Sequence, residues 1–251
     1  KGKRMGNGKR EITTTIIPLT LTDIMHVKLP AKLVDDINKH IDKIINDNKK
    51  ENRKNRLAGE LTAGEQTGLD PDHPDLSLLK NIYLHASMAF YDNFYSQTAG
   101  SLHHKDSGQL SNAVRNPKIN INDMWYNVYK EGDYNPLHNH GTRAWMGLSS
   151  FIFLKVPPSV KKASELSKKS KKLGGASGYN DGKTSFIYGT STVGDFYNWK
   201  YPQGRMLEPE VGDMFIFPKW LQHLVYPFRG PGERRSLAAN INVWTESEGG
   251  L

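Results

Sequence analysis

The sequence predicts a mainly β protein, a sandwich or barrel of jelly-roll type with flanking helices. Three observations carry that expectation. From Lys118 onward, short apolar or alternating runs follow one another with turn residues between them, the pattern of an antiparallel all-β architecture. Before that point, two stretches repeat apolar residues at helical spacing. No segment recurs at a solenoid period. A chain of 251 residues is ample for one core. The expected organisation is a basic N-terminal segment, a strand and two helices over 1–117, packed on a β-rich core over 118–251, the whole forming one compact domain.

Lys1-G-K-R-M-G-N-G-K-Arg10 opens the chain as a mobile basic segment. Ile12 to Leu21 reads as a strand because β-branched residues dominate it. Pro30 opens the first helix, in which Leu33, Val34, Ile37, Ile41, Ile44 and Ile45 form one apolar stripe. Asn46 to Arg56 is its polar tail, and Leu57 to Pro74 a connection rich in Gly, Asp and Pro. Leu76 to Tyr95 is the second helix, and Thr98 to Asn116 a polar loop. The strands expected after it are 119–129, 145–156, 184–188, 205–207, 214–217, 221–226 and 236–244. Turns fall at Glu131-G-Asp133 and before Asp213, where glycine supplies the freedom. Pro157 and Pro158 stop the strand at Val156.

Nine histidines and no cysteine restrict any metal site to His, Asp and Glu, which favours Fe(II), Mn(II) or Zn(II) over iron–sulfur chemistry. Absence of cysteine fits a reducing cytoplasm (a host's, if the chain is phage-encoded). No apolar run approaches membrane-spanning length, and no apolar signal core stands near the N-terminus. The net charge is +8, concentrated in the first ten residues and in Lys161 to Lys172. Neither run interleaves aromatic residues, so both read as solvated loops. The second can recruit an acidic protein or a nucleic acid. The helices cover the sheet of their own chain or form a homodimer face.

Two histidines one residue apart, His138 and His140, follow a run read as a strand, so both side chains point the same way. A long gap leads to Phe217-P-K-W-L-Q-H-L-V-Y-Pro227, which carries His223 in a strand. Arg234-R-Ser236 then begins the last strand, with Arg234 and Ser236 on one face. Three neutral imidazoles hold one side of a metal and leave positions open opposite them. An arginine on a neighbouring strand supplies a fixed fork for a carboxylate, and a serine beside it one more donor.

This layout resembles the Fe(II)/2-oxoglutarate-dependent oxygenases built on a double-stranded β-helix, whose pattern is His-x-Asp/Glu, a distal His, and Arg-x-Ser. A bacterial and phage subgroup is similar in four ordered segments: Trp125 to His140, Phe151-I-F-L-K-V-Pro157, Phe217 to Pro227, and Arg234-R-Ser236. The resemblance spans Trp125 to Asn242. It implies Fe(II) on His138, His140 and His223, with His140 standing where a carboxylate is usual. It implies 2-oxoglutarate as co-substrate, its far carboxylate on Arg234 and Ser236, with Tyr129 and Asn127 lining the same pocket. The implied reaction is hydroxylation of an unidentified substrate, a protein side chain by preference, with conversion of 2-oxoglutarate to succinate. Cupins compete: Gly132 to His140 and Gly212 to His223 fit their two motifs, but the usual glutamate is missing from Thr142-R-A-Trp145. That alternative is a three-His dioxygenase or isomerase without 2-oxoglutarate. A non-catalytic binding or structural protein is the third reading.

The remaining histidines, His26, His40, His73, His85, His103 and His104, follow no ligand spacing. Arg235 faces away from Arg234, and Trp145 and Trp220 read as core.

Overall fold

Period-two alternation is what the sheet uses. In β7 (Met146–Lys155), Leu148, Ile152 and Leu154 face one way while Phe151 and Phe153 face the other. In β10 (Asp213–Pro218), Met214 and Ile216 oppose Phe215 and Phe217 in the same way. Each strand therefore feeds two cores. The structure is a computed structural model and describes residues 3–5, 12–18, 22–47, 53, 59–101, 117–141, 146–169, 178–189 and 204–244.

The other elements, in chain order, are β1 (Lys3–Met5), β2 (Ile12–Pro18), β3 (Asp23–Lys28), α1 (Ala31–Ile45), β4 (Glu65–Leu69), α2 (Ser77–Ser101), β5 (Lys118–Tyr129), β6 (Asn135–His138), α3 (Pro158–Lys169), β8 (Thr184–Ile187), β9 (Gly204–Leu207), β11 (Gln222–Val225) and β12 (Arg234–Trp244). A large sheet runs β1-β2-β3-β10-β7-β12-β5-β4, and a small one β6-β11-β8-β9. All pairings are antiparallel. From β5 to β12 the chain crosses between sheets at nearly every step. β5, β7, β10 and β12 lie in the large sheet; β6, β8, β9 and β11 lie in the small one. That weave is a double-stranded β-helix, a jelly roll whose two faces enclose one pocket.

One core lies between the outer face of the large sheet and helices α1 and α2. Leu33, Val34, Ile37 and Ile41 from α1, with Leu79, Tyr83 and Phe90 from α2, meet Met124, Ile152, Ile216 and Leu237 there. The other lies between the sheets and is aromatic: Phe151, Phe153, Phe186, Phe215 and Phe217. Phe186 and Phe217 meet edge to face at 4.8 Å between ring centres.

Several elements differ from the expectation. β4 forms within the stretch read as connection and pairs with β5 from Glu65↔Val128 to Leu69↔Met124. Its Glu, Gln and Gly hid it, and the Arg53 guanidinium lies over Gly68. The basic stretch from Lys161 is not a loop as far as Lys169. It belongs to α3, which starts on Pro158 as proline at a first helical position favours. Val160 buries its side chain beside Phe228, Leu61 and Tyr129, which holds the helix down. Ser170 to Lys172 lie outside the described residues. The opening basic run is a strand over Lys3–Met5, paired with β2, and is otherwise outside the description. α2 extends to Ser101, past the expected end, while His103, His104 and Trp145 fall outside the described residues. Among the described residues no helix is long and apolar enough to cross a membrane.

Candidate metal centre and pocket

Between β5 and β6 the turn is held by Asp133. The Asp133 carboxylate is 1 % exposed. It accepts from Thr62 N (2.7 Å), Thr62 Oγ1 (2.8 Å) and Lys130 N (2.8 Å). Gly132 beside it takes φ +84°, a conformation that suits glycine. This locked turn delivers His138 at the end of β6, directly opposite His223 of β11. His140 lies two residues past the strand rather than on it. Its placement comes from its backbone N–H, which donates to Lys219 O at 3.0 Å, not from strand alternation.

The three rings converge. His138 and His223 have ring centres 4.2 Å apart, and His140 stacks on His223 at 5.1 Å and 2°. One ligand atom from each lies within 4.8 Å of the others. His138 Nδ1 is 2.7 Å from Pro136 O, and His223 Nδ1 is 3.1 Å from Leu221 O. Each carbonyl accepts the ring's Nδ1 proton and leaves the Nε2 lone pair facing the cluster. His140 Nε2 and His223 Nε2 are 3.3 Å apart. Two nitrogens bound at about 2.1 Å to one metal stand roughly 2.9–3.4 Å apart, so the spacing suits a shared cation. Burial, then the neighbouring imidazoles, holds His223 well below the usual histidine range. Burial, then His138 and Lys219, brings His140 to about 3. His138 is lowered by burial as well. All three stay neutral at physiological pH, the form a metal requires.

Arg234 occupies the other end of the same cavity. It is 2 % exposed and sits opposite Tyr129 in the β12–β5 ladder, with Ser236 opposite Asn127. Its Nε donates to Gly182 O and its Nη2 to Thr184 Oγ1, both at 3.0 Å. Its Nη1 is buried without a hydrogen-bond partner, and no acid among the described residues pairs with it. The Tyr129 and Phe153 rings flank it at 5.2 and 5.1 Å. A buried cation with one donor unspent is a receptor for an anion. Burial pushes Tyr129 up to about 12, so its phenol keeps its proton. Arg235 behaves as expected of its parity. It leaves the pocket for the side of α1, where Asp42 (2.7 Å) and Asn38 Oδ1 (3.1 Å) of that helix and Glu233 (2.8 Å), just before β12, receive it.

The cavity joining these ends is about 270 Å³, and Arg234, Ser236, Tyr129, Asn127 and all three histidines line it. Also lining it are residues that the sequence reading did not single out as site residues: Asp123, Trp125, Asn135, Asn240, Gln66 and Arg53. Strand parity could have found three of them, since Asp123 and Trp125 share a face of β5 with Asn127 and Tyr129, and Asn240 shares a face of β12 with Arg234 and Ser236. Arg53 pairs with Asp123 at 2.7 Å across the sheet edge and has no such signal. Trp125 stacks on His140 with ring centres 5.8 Å apart. Gln66, in the orientation that satisfies both ends of its amide, accepts from Trp125 Nε1 at 3.1 Å and fixes that ring.

The other histidines stand apart from the pocket. His40, His73 and Asp75 cluster within ligand range. The donor atoms there are already engaged: His40 Nδ1 with Asp75 Oδ2 and His73 Nδ1 with the Asp75 N–H, each at 3.1 Å. That cluster ties α1 to the start of α2. His26 stacks on Phe215 and faces Asp213 at 3.1 Å. His85 bonds Asn81 O of its own helix at 2.7 Å. Trp220, expected in the core, is 45 % exposed in the turn between β10 and β11.

Residues 123–240 match the sequence model of the family described as "Putative 2OG-Fe(II) oxygenase". No curated protein matches the chain significantly. Among solved structures, the chain is similar to a prolyl-4-hydroxylase from Pseudomonas putida, with 13% identity, TM-score 0.48, and coverage of 86% of this chain and 87% of that one. It is also similar to the viral collagen prolyl hydroxylase from Paramecium Bursaria Chlorella virus-1, with 15% identity, TM-score 0.43, and coverage of 87% and 94%. HygX from Streptomyces hygroscopicus, solved with nickel, 2-oxoglutarate and hygromycin B bound, shares 9% identity at TM-score 0.49, with coverage of 87% and 82%.

Proposed function

We propose that this chain, whose residues 123–240 match the 2OG-Fe(II) oxygenase family model, is such an oxygenase and hydroxylates a substrate C–H bond with Fe(II) and 2-oxoglutarate. The observation that carries the reading is the unspent Nη1 of buried Arg234 in the same cavity as three converging imidazoles. A dicarboxylate fits that pair of features, with one end for the guanidinium and the other for a metal. The balance is 2-oxoglutarate, O₂ and R–H giving succinate, CO₂ and R–OH.

His138, His140 and His223 would hold the iron, which when bound supplies the redox chemistry of O₂ activation and 2-oxoglutarate decarboxylation. The chain's own residues supply position and dryness. Arg234, with Gly182 O and Thr184 fixing its fork, would grip the far carboxylate. Ser236 and Asn127, facing each other across the β12–β5 ladder, line the route between the two ends. Tyr129, its proton retained, donates rather than repels. Phe151 lines the cavity, and Phe153 and Phe217 pack behind it in the apolar layer that excludes water. The primary substrate would enter at the rim, where Asp123, Arg53 and Asn240 offer both signs of charge and an amide. A protein side chain reaching in from the surface suits a cavity this small. The exposed Lys161 and Lys162 of α3 are the described part of the basic run that would recruit an acidic partner.

The test is an anaerobic titration of metal-free protein with Fe(II) and then 2-oxoglutarate, followed by visible absorption. A charge-transfer band requiring both additions, and weakened in Arg234→Ala, is the expected result. Iron uptake with no band, unaffected by Arg234→Ala, would favour the cupin-type chemistry. No iron uptake would favour a non-catalytic protein.

A further inference from the structure

Asn135 opens β6, three residues before His138, and lines the cavity with a side chain that is 7 % exposed. Its Nδ2 is 3.1 Å from His138 Nε2. Its Oδ1 is buried with no hydrogen-bond partner. The direction of the contact follows from the other side of the ring. His138 Nδ1–H is spent on Pro136 O at 2.7 Å, so Nε2 carries a lone pair. An amide oxygen turned toward it would set lone pair against lone pair, and the amide therefore donates from Nδ2.

That lone pair is also the one a metal needs, and it cannot serve both. A metal on His138 leaves the Asn135 amide buried with neither its N–H nor its C=O engaged, a state folded proteins avoid. The amide stands 3.1 Å from a ligating nitrogen. A metal bound at about 2.1 Å along that lone pair takes the place of the donating N–H. The displaced amide turns aside within the cavity it lines, its N–H free for another acceptor.

We infer that Asn135 links metal loading to co-substrate binding: the metal takes its acceptor, and the released amide N–H binds the keto-acid carboxylate of 2-oxoglutarate. This rests on the 2-oxoglutarate reading of the site given above. It assigns the amide a role distinct from that of Arg234, which faces the other end of the same molecule. It also opposes a purely structural role. If Asn135 only held the His138 ring in place, its removal would weaken metal binding. If its acceptor is displaced by the metal, its removal leaves metal binding equal or tighter and weakens only the co-substrate.

The experiment uses the full chain with Asn135→Ala and Asn135→Leu, the second keeping the volume that closes β6 on β11. Mn(II) binding to metal-free protein is read by electron paramagnetic resonance, and 2-oxoglutarate binding to Mn(II)-loaded protein by calorimetry. The expected result is an Mn(II) Kd unchanged or several-fold tighter in both variants, with a 2-oxoglutarate Kd raised about tenfold. An unchanged 2-oxoglutarate Kd in both variants, or a weakened Mn(II) Kd, overturns the inference. Parent protein that binds Mn(II) but no 2-oxoglutarate overturns the functional reading instead, a result obtained without either variant.

Discussion

Neighbouring arginines on β12 show how one residue of register divides function from stability. Arg234 and Arg235 are both almost wholly buried, yet they face opposite sides of the large sheet. Arg234→Ala should raise the 2-oxoglutarate Kd about a hundredfold, because a buried guanidinium with one unspent donor is matched to a carboxylate. Arg234→Lys should recover only part of this, since an ammonium cannot reproduce a fork already anchored on Gly182 O and Thr184. Arg235→Ala should leave the Kd within about twofold and cost roughly 2 kcal/mol of stability, read from urea midpoints, because Asp42 and Glu233 lose their shared partner. Equal effects of the two substitutions on the Kd would contradict the division. The sequence carried this distinction in full, since period two separates adjacent side chains whatever surrounds them. It could not show that Nη1 lacks a partner, which depends on what β8 brings to the site.

At the scale of elements, the site is built by turns as much as by strands. Asp133 gathers three donors from two segments and sets where β6 begins and where His138 points. Asp133→Ala should cost about 3 kcal/mol and Asp133→Asn about 1 kcal/mol, measured by denaturant unfolding, because the buried donors lose a charged acceptor in the first case and keep a neutral one in the second. A loss under about 0.5 kcal/mol for Asp133→Ala would mean that the turn holds without it. Most strands of the jelly roll and both long helices were legible because their apolar residues keep a period of 2 or 3.6 over enough length, whereas β3 and the four-residue β6 were not expected. β4 was not: five residues with Glu, Gln and Gly carry no alternation, and its place is set by pairing with β5. α3 was hidden by its lysines, which read as solvated loop, while Val160 alone marks its buried side. Asn135 and Arg53 escaped for a related reason. Their meaning lies in contacts across the fold, with His138 and with Asp123, and no spacing in the sequence encodes those.

The whole molecule responds to acid through its paired carboxylates and through the same histidines that would hold a metal. Burial alone would raise Asp213, but the hydrogen bonds from His26 and Lys28 outweigh it and hold its carboxyl below the usual range. Burial likewise raises Glu233, and Arg235 with Lys155 outweighs it. A depressed folded-state value means stability that is present above the unfolded value and lost as pH falls through the folded one. Unfolding midpoints of the metal-free protein should therefore begin to fall below about pH 6.5, where unfolded histidines take protons that buried His140 and His223 refuse, and fall more steeply below about pH 4, with Asp213→Asn flattening only that last limb. At pH 7 these acids are fully charged, and the remaining lever is the histidine cluster. A metal bound to the folded state alone adds about 2.7 kcal/mol at a hundredfold excess over its Kd. For a chain of this size that is a rise of roughly 5–10 °C in Tm. Fe(II) or Mn(II) should produce the rise, a chelator should reverse it, and His223→Ala should abolish it. His140 is the informative case, because it stands beyond the strand and is placed by one backbone bond to Lys219 O. If it ligates, His140→Ala loses most of the rise. If the metal rests on His138 and His223 with water, the variant keeps it, and the 3.3 Å approach of His140 Nε2 to His223 Nε2 would then reflect ring stacking rather than a shared ion.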